Sequence, residues 1–168
     1  LWIGPYVADV FDGDAGIASL WMGIAMIAGT FCYGPLDRMF GTRKWVALAG
    51  NFMAFLFCLL LGLGLAQGYW NAIALFAAAG FFGVSFPLLM AHGRAFVPPH
   101  LAGRGVTLMN LFGIGGVGLW QMISGRMHAT LSPNATSIAD PYHAIFLFFA
   151  GMLAIGITIY AFSEDRID

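Results

Sequence analysis

Long apolar runs fill most of the chain and leave little room for a water-exposed surface. Of the 168 residues, 60% are hydrophobic and only 9% are charged, whereas a soluble globular domain carries about 25% charged residues. A run of about 20 apolar residues is long enough to cross a bilayer as a helix. Ten-residue segments of alternating polarity, which are typical of membrane barrels, are not found. The sequence therefore predicts an all-α membrane protein.

Breakers between the runs divide the chain into a bundle of one partial and five complete transmembrane helices, in one unit covering residues 1–168. Backbone groups in lipid must find hydrogen-bond partners within the same segment, so each run is predicted to be helical. The chain begins inside an apolar run and not with Met, from which we expect it to be part of a longer polypeptide. The predicted spans are residues 1–11 (partial), 17–36, 45–66, 70–92, 105–125 and 142–162.

Composition also limits the partners and cofactors. The net charge is −1 and no basic stripe exists, so a nucleic-acid partner is not expected. The two cysteines, Cys32 and Cys58, lie inside apolar runs and are interpreted as small buried hydrophobic residues. No Cys or His spacing typical of a metal site occurs, so neither a metal nor a cofactor is predicted.

A short charged segment, residues 34–44, separates the second and third spans. It holds four of the chain's fifteen (seven basic plus eight acidic) charged residues. Asp37 is expected to accept hydrogen bonds from the N-terminus of the next helix, which the helix dipole favours. The basic residues Arg38, Arg43 and Lys44 are expected to pair with acids or with anionic lipid headgroups. A basic turn that only sets the topology is the alternative interpretation.

The loops of alternating spans differ in charge. The side that holds the charged segment carries six basic residues, and the other side carries only Arg126. Because basic residues concentrate in cytoplasmic loops, we expect the first side and the C-terminus to be cytoplasmic, in a bacterial inner membrane. The six basic residues are Arg38, Arg43, Lys44, Arg94, Arg104 and Arg166.

The charged segment resembles the loop signature of the major facilitator superfamily, in which a glycine, an Asp-Arg pair, a second glycine and paired basic residues follow one another. Residues 2–10 and 98–105 resemble the first helix and a later cytoplasmic connection of the C-terminal half of that family. The match implies helices seven to twelve, with the first truncated. Asp37 and Gly41 are four residues apart, where a spacing of three is commoner. The signature residues here are Gly34, Asp37, Arg38, Gly41, Arg43 and Lys44.

The resemblance implies a permease that moves a small solute by alternating access, as a secondary active transporter such as a proton symporter. In the family such turns latch one conformation and release it in another, so the signature residues are predicted to form a cytoplasmic latch. The implied partners are the solute, membrane lipid and a missing N-terminal half or complementary chain. A membrane assembly subunit without transport of its own is the alternative.

Polar side chains inside spans are costly and therefore point to function. Asn110 and Gln121 are eleven residues apart and share one helix face; either a substrate-facing stripe or hydrogen bonding between helices explains them. Tyr6 is a third substrate-facing candidate. By the resemblance, the partial span and spans 17–36, 70–92 and 105–125 face the cavity, and the other two face lipid.

Proline and histidine positions suggest how the spans move. Pro5 and Pro87 are predicted to kink gating helices, because proline removes a backbone hydrogen bond. His92, at the end of its span, is interpreted as an interfacial residue, with a proton site as the alternative. If transport is coupled to protons, we expect the titrating carboxylate in the missing half.

An intramembrane serine protease is the rival from another class. Such enzymes place a serine on the fourth span and a histidine on the sixth, as Ser85 and His143 are placed here. The glycine that usually follows the serine is absent, and His143 lies at the outer edge of its span while Ser85 lies in the middle. We therefore predict no catalytic residues and no enzyme.

Overall fold

The computed structural model describes residues 2–166, which are helical over most of their length. Short connections join the helices, and one-turn 3₁₀ helices precede α6 and follow it at Pro99–Leu101 and Ser132–Asn134. The α-helices of the described part are α1 (Ile3–Phe11), α2 (Ala15–Phe40), α3 (Lys44–Gly62), α4 (Tyr69–Gly83), α5 (Phe86–Arg94), α6 (Ala102–Leu131) and α7 (Asp140–Ala161).

The prediction of an all-α membrane fold is confirmed. Five segments of the described chain are long and apolar enough to cross a membrane, and α4 with α5 counts as one of them. At 1.5 Å per residue, the nine residues of α1 extend only about 14 Å, so α1 does not cross a bilayer by itself. The described residues 2–166 contain no β-strand.

Helix α2 is longer than its apolar run predicts. The run was expected to end at Leu36, but the helix continues through Pro35 to Phe40, so Asp37 and Arg38 are helical and not part of a turn. Proline removes a single backbone donor, and its φ of about −65° is compatible with a helix. Gly41 ends the helix with a φ of 62°, a left-handed conformation that glycine adopts without steric cost.

The span predicted at residues 70–92 is interrupted. Helix α4 ends at Gly83, and α5 begins at Phe86 with Pro87 in its first turn, where a proline needs no helical hydrogen bond. Pro5 likewise lies in the first turn of α1, so α1 is continuous around it. The gating roles of both prolines stay predictions.

An aromatic cluster forms the main core at the end of the bundle opposite the charged segment. Tyr6 is buried and its ring makes edge contacts with the rings of Phe76, Tyr142 and Phe146, with centroids 5.2–5.7 Å apart. Edge-to-face pairs of this kind add to the stabilisation from buried area. The cluster therefore fixes α1, α4 and α7 to one another.

Glycines allow the central helices to approach closely. A Cβ at Gly29 on α2 would overlap the carbonyl oxygen of Phe81 on α4, and one at Gly50 on α3 would overlap the hydroxyl of Tyr33. The Tyr33 hydroxyl donates a hydrogen bond of 2.9 Å to the carbonyl of Phe82. In contrast, α6 buries only Ser124 and presents exposed apolar side chains along most of its length.

Candidate functional site

The charged segment forms a compact connection between α2 and α3. The last turn of α2 carries Asp37 and Arg38, Gly41 reverses the backbone, and α3 starts at Lys44. Gly34 lies on an exposed face of α2, where an added Cβ would meet no atom within 4 Å. The conformation therefore requires glycine at position 41, whereas neither packing nor φ requires it at position 34.

An ion pair closes this connection. Nε of Arg43 lies 3.3 Å from Oδ2 of Asp37, and the two side chains are only 15% and 18% exposed. Pairs shielded from water are weakened less by salt than those on the surface. Arg38 points to the exposed side, and Nζ of Lys44 lies 5.0 Å from the ring centroid of Trp45. The pair fixes the end of α2 to the start of α3.

The carboxylate at the N-terminus of α3 belongs to Asp165, not to Asp37. Oδ1 of Asp165 accepts a hydrogen bond of 3.1 Å from the backbone N–H of Lys44, and its Oδ2 accepts one from the hydroxyl of Thr42. The hydroxyl oxygen of Thr42 accepts from the N–H of Trp45 at 3.2 Å. The first N–H groups of α3, which have no partner inside the helix, are thus satisfied by Thr42 and by the segment after α7.

Hydrogen bonding shifts the ionisation of Asp165. Partial desolvation works to raise the pKa of its carboxyl group, but hydrogen bonds from Thr42 and from the backbone of Lys44 and Arg43 outweigh it, and the nearby His92 adds to them. The net effect lowers the pKa of Asp165. The carboxylate is therefore stabilised in its charged form while it holds the start of α3.

His92 is a second anchor for the same segment. Its ring is 1% exposed, with Nδ1 2.6 Å from the hydroxyl of Tyr160 and Nε2 2.9 Å from the carbonyl oxygen of Glu164. The guanidinium of Arg166 lies 4.6 Å from the ring centroid of Phe96. We call residues 163–166 the tail segment; it contacts α3 through Asp165 and α5 through His92.

A polar pair lies at the interruption between α4 and α5. The side-chain amide of Asn51 on α3 donates to the carbonyl of Ala47 and to the hydroxyl oxygen of Ser85, both at 2.8 Å. Asn51 also lines two neighbouring cavities of about 700 and 370 Å³ with otherwise largely apolar walls. This pair was not among the predicted substrate-facing residues, although an amide within a span and a serine before Pro87 are its signals.

The three substrate-facing candidates lie in different environments. Gln121 is exposed and lines the cavity of about 370 Å³. Asn110 is half-buried on the same face of α6, three turns away. Tyr6 is 1% exposed within the aromatic cluster. The structure thus brings Asn51 and Gln121 to one cavity and leaves Tyr6 outside it.

The geometry combines apolar spans, a charged connection and an ion pair across it. Residues 2–168 match the family model described as Major Facilitator Superfamily. The chain belongs to the Major Facilitator Superfamily. Neither the comparison with curated proteins nor that with solved structures gave a match.

Members of the Major Facilitator Superfamily move small solutes across membranes, so membership makes this chain part of a multi-pass membrane transporter family. The pair considered for a protease does not assemble in this major facilitator chain. Ser85 accepts its hydrogen bond from Asn51, and the His143 ring lies against Gly64 and Tyr6. The protease geometry, in which the serine donates to the histidine, is not formed.

Proposed function

We propose that this chain is the C-terminal half of a secondary active transporter that works by alternating access against a second six-helix half. The observation that carries the proposal is the Asp37–Arg43 ion pair across the connection between α2 and α3. Separating largely shielded charges that join two helices costs free energy, so such a pair suits an element that is closed in one conformation and open in another. The signature residues Gly34, Asp37, Arg38, Gly41, Arg43 and Lys44 belong to this latch.

The tail segment enlarges the latch beyond the signature. Asp165 holds the start of α3, and His92 holds the backbone of Glu164. Any movement that opens the connection between α2 and α3 therefore strains contacts to α5 and α7 as well. In this proposal, the latch links the connection between α2 and α3 to α5 and α7 at the same end of the bundle.

The charge distribution supports an orientation. The latch end carries six basic residues and the opposite end carries Arg126, so we assign the latch and the C-terminus to the cytoplasm of a bacterial inner membrane. Lys44 beside Trp45 suits the headgroup region, where both residue types are common. This orientation follows from sequence charge alone.

We propose that the solute pathway runs along the Asn110–Gln121 face of α6 and reaches Asn51. Ser124 is the one buried residue of α6, and a Cβ at Gly115 or Gly118 would meet no atom within 4 Å, which leaves room for a second half to approach. Tyr6 is not carried into this pathway because the aromatic cluster encloses it. Proton symport is compatible with this pathway.

Uptake into proteoliposomes tests the proposal. The intact polypeptide that carries this chain is reconstituted, and uptake of a panel of amines, sugars, amino acids and organic anions is measured under proton and sodium gradients. We expect gradient-driven uptake of at least one class, slowed at least tenfold by Asp37→Asn and unchanged by Asp12→Asn, a matched loss of charge at the other end. Equal rates for both variants would contradict a latch at Asp37.

Proton coupling has its own test in the same assay. If the titrating carboxylate lies in the other half, His92→Ala and Asp9→Asn, examined separately, leave proton flux coupled to solute flux. Loss of coupling in either variant while solute flux persists would assign the proton site to this chain. Absence of flux for every solute, with a correctly folded protein, would favour an assembly subunit.

A further inference from the structure

A polar cavity lies at the end of the bundle opposite the latch. Its volume is about 260 Å³, just below the roughly 300–1,000 Å³ of sites for drug-sized ligands. Side chains from α1, α6 and α7 surround it, and the loop before α7 supplies one wall. Its lining includes Asp9, His128, Ser132, Ser137 and Tyr142.

Asp9 gives the cavity a charge without a matching cation. The hydroxyl of Tyr142 donates to Oδ2 of Asp9. Within residues 2–166, Oδ1 accepts no hydrogen bond and no ion pair reaches the carboxylate. Asp9 is exposed in the last turn of α1, where the negative end of the helix dipole disfavours a second negative charge. A bound cation would relieve this repulsion.

A second aspartate near the cavity, Asp140, differs from Asp9 in its hydrogen bonds. Asp140, at the start of α7, accepts hydrogen bonds from the N–H groups of Thr136 and Ser137 at 3.0 and 2.8 Å. It lies at the positive end of its helix and shapes the loop that walls the cavity. Asp140 is therefore a structural carboxylate, whereas the Oδ1 atom of Asp9 is available to a ligand.

The ring of His128 and a hydroxyl oxygen complete the lining. The rings of His128 and Tyr142 are 4.7 Å apart. Tyr142 is 1% exposed, so it presents its hydroxyl group and little ring surface to the cavity, whereas His128 is half-buried. The hydroxyl of Ser132 donates to the carbonyl of His128 at 2.7 Å, and its oxygen also lies 3.3 Å from Nδ1 of His128, which leaves one lone pair able to accept from a ligand. The lining thus supplies a carboxylate and an acceptor oxygen beside the half-buried ring of His128.

The charges at this end of the molecule are mostly negative. Four aspartates lie in its helix ends and loops, namely Asp9, Asp12, Asp14 and Asp140, against the single arginine Arg126. Such an excess of negative charge raises the local concentration of cations. We propose that the cavity is a binding site for a small primary ammonium compound, with the ammonium group on Oδ1 of Asp9.

This inference goes beyond the proposed function, because occupancy of the cavity requires neither flux nor movement of the latch. The test is equilibrium binding of radiolabelled butylammonium to the intact polypeptide that carries this chain, in phosphatidylcholine nanodiscs, which carry no net lipid charge. Butanol and butyrate serve as neutral and anionic analogues on the unaltered chain. We expect saturable binding of butylammonium only.

Two matched variants locate the site. Asp9→Asn keeps an oxygen that accepts from Tyr142 but removes the charge, and we expect it to weaken binding at least tenfold. Asp12→Asn removes the same charge outside the cavity, at a left-handed position (φ 49°) that asparagine tolerates, and we expect a change below twofold.

Three results would overturn the proposal: no saturable binding, equal binding of butanol, or equal losses in the two variants. The comparison of butylammonium with butanol needs no variant, so it decides the question even if Asp9→Asn fails to fold. Because no flux is measured, none of these results bears on transport, and failed uptake would leave this site unaffected.

Discussion

Nδ1 of the buried His92 lies 2.6 Å from the hydroxyl oxygen of the half-buried Tyr160, and this contact joins α5 to α7. The other ring nitrogen, Nε2, lies 2.9 Å from the carbonyl oxygen of Glu164 and 3.3 Å from the N–H of Arg166. The shorter contact assigns the proton to Nε2, so Nδ1 accepts from Tyr160. With this assignment, Nε2 donates to Glu164 and Nδ1 accepts from Tyr160, so both of the shorter contacts are hydrogen bonds.

Removing either partner of this contact is expected to loosen the tail segment. Tyr160→Phe removes one buried hydrogen bond, which costs about 1 kcal/mol, and His92→Ala also leaves a cavity, for a total of about 2–4 kcal/mol. We expect amide exchange at residues 163–166 to accelerate in both variants, more strongly in His92→Ala. Exchange that stays at the native rate in His92→Ala would show that the histidine does not anchor the segment.

The contact of Asp165 with α3 is expected to depend on pH. Because the folded pKa lies below the unfolded value of about 3.9, its stabilisation is complete above the unfolded pKa. It is lost as the pH falls through the folded pKa. Amide exchange at Lys44, corrected for intrinsic rates, should therefore show increased opening below about pH 4.

The matched variants for this prediction are Asp165→Asn and Glu164→Gln. Asp165→Asn should abolish the pH dependence at Lys44. Glu164→Gln alters an exposed ion pair with Arg166 of 2.9 Å, and pairs of this kind contribute little, so it should leave the profile in place. A profile that persists in Asp165→Asn would assign it to another group.

Two glycines of the latch are expected to respond in opposite directions to alanine. Gly41→Ala places a Cβ on a residue with a φ of 62°, which should lower the free energy of unfolding by about 1–2 kcal/mol. Gly34→Ala lies in an exposed helical position with open space and should stabilise the protein by about 0.5–1 kcal/mol. Thermal unfolding in detergent compares them directly; the same sign for both would contradict the assigned conformations.

Close packing of α2 on α4 is expected to fail when Gly29 gains a methyl group. A Cβ there would overlap the backbone oxygen of Phe81, and no side-chain rotation relieves this overlap. Gly29→Ala should therefore lower the free energy of unfolding by about 1–3 kcal/mol. Gly23→Ala, on the same helix with no atom within 4 Å, is the control. Thermal unfolding should separate the two variants, and equal midpoints would argue against this helix contact.

Most of the fold was predictable because apolar length alone identifies membrane helices. The ends of the helices were less predictable. The end of the apolar run placed the end of α2 at Leu36, yet the helix continues through Asp37 and Arg38 and ends at Gly41. The interruption after Gly83 lies just before Pro87, at which a kink was predicted, but the predicted span ran through it because hydropathy does not register a break in hydrogen bonding.

The site was predictable only where its residues are close in sequence. Asp37 and Arg43 lie six positions apart and were grouped, although Asp37 was expected to contact the start of α3. The carboxylate that does so, Asp165, is 121 residues from Lys44. Likewise Asn51 and Ser85 meet only because α3 packs beside the interruption between α4 and α5. Such long-range pairs depend on helix packing, which spacing within one chain segment does not specify.

The most direct test of the account compares the surfaces of α6 and α7 in the intact polypeptide. Ile114 and Ile159 are both 69% exposed in this chain, and Val117 and Ile155 are 52% and 54% exposed. The first member of each pair lies on the Asn110–Gln121 face of α6, and the second lies on α7. The exposure of these side chains in this chain alone therefore does not distinguish α6 from α7. A solute pathway along α6 would keep its face in contact with water, whereas the face of α7 would contact lipid.

Nitroxide labels at these four positions, introduced as cysteines after replacement of Cys32 and Cys58, report collisions with a water-soluble nickel complex and with oxygen, which prefers lipid. The account predicts that labels at 114 and 117 collide with nickel, whereas labels at 155 and 159 collide mainly with oxygen. It further predicts that Asp37→Asn changes nickel access at 114 and 117 alone. Oxygen-dominated collisions at all four positions would place α6 in lipid and contradict a solute pathway along it.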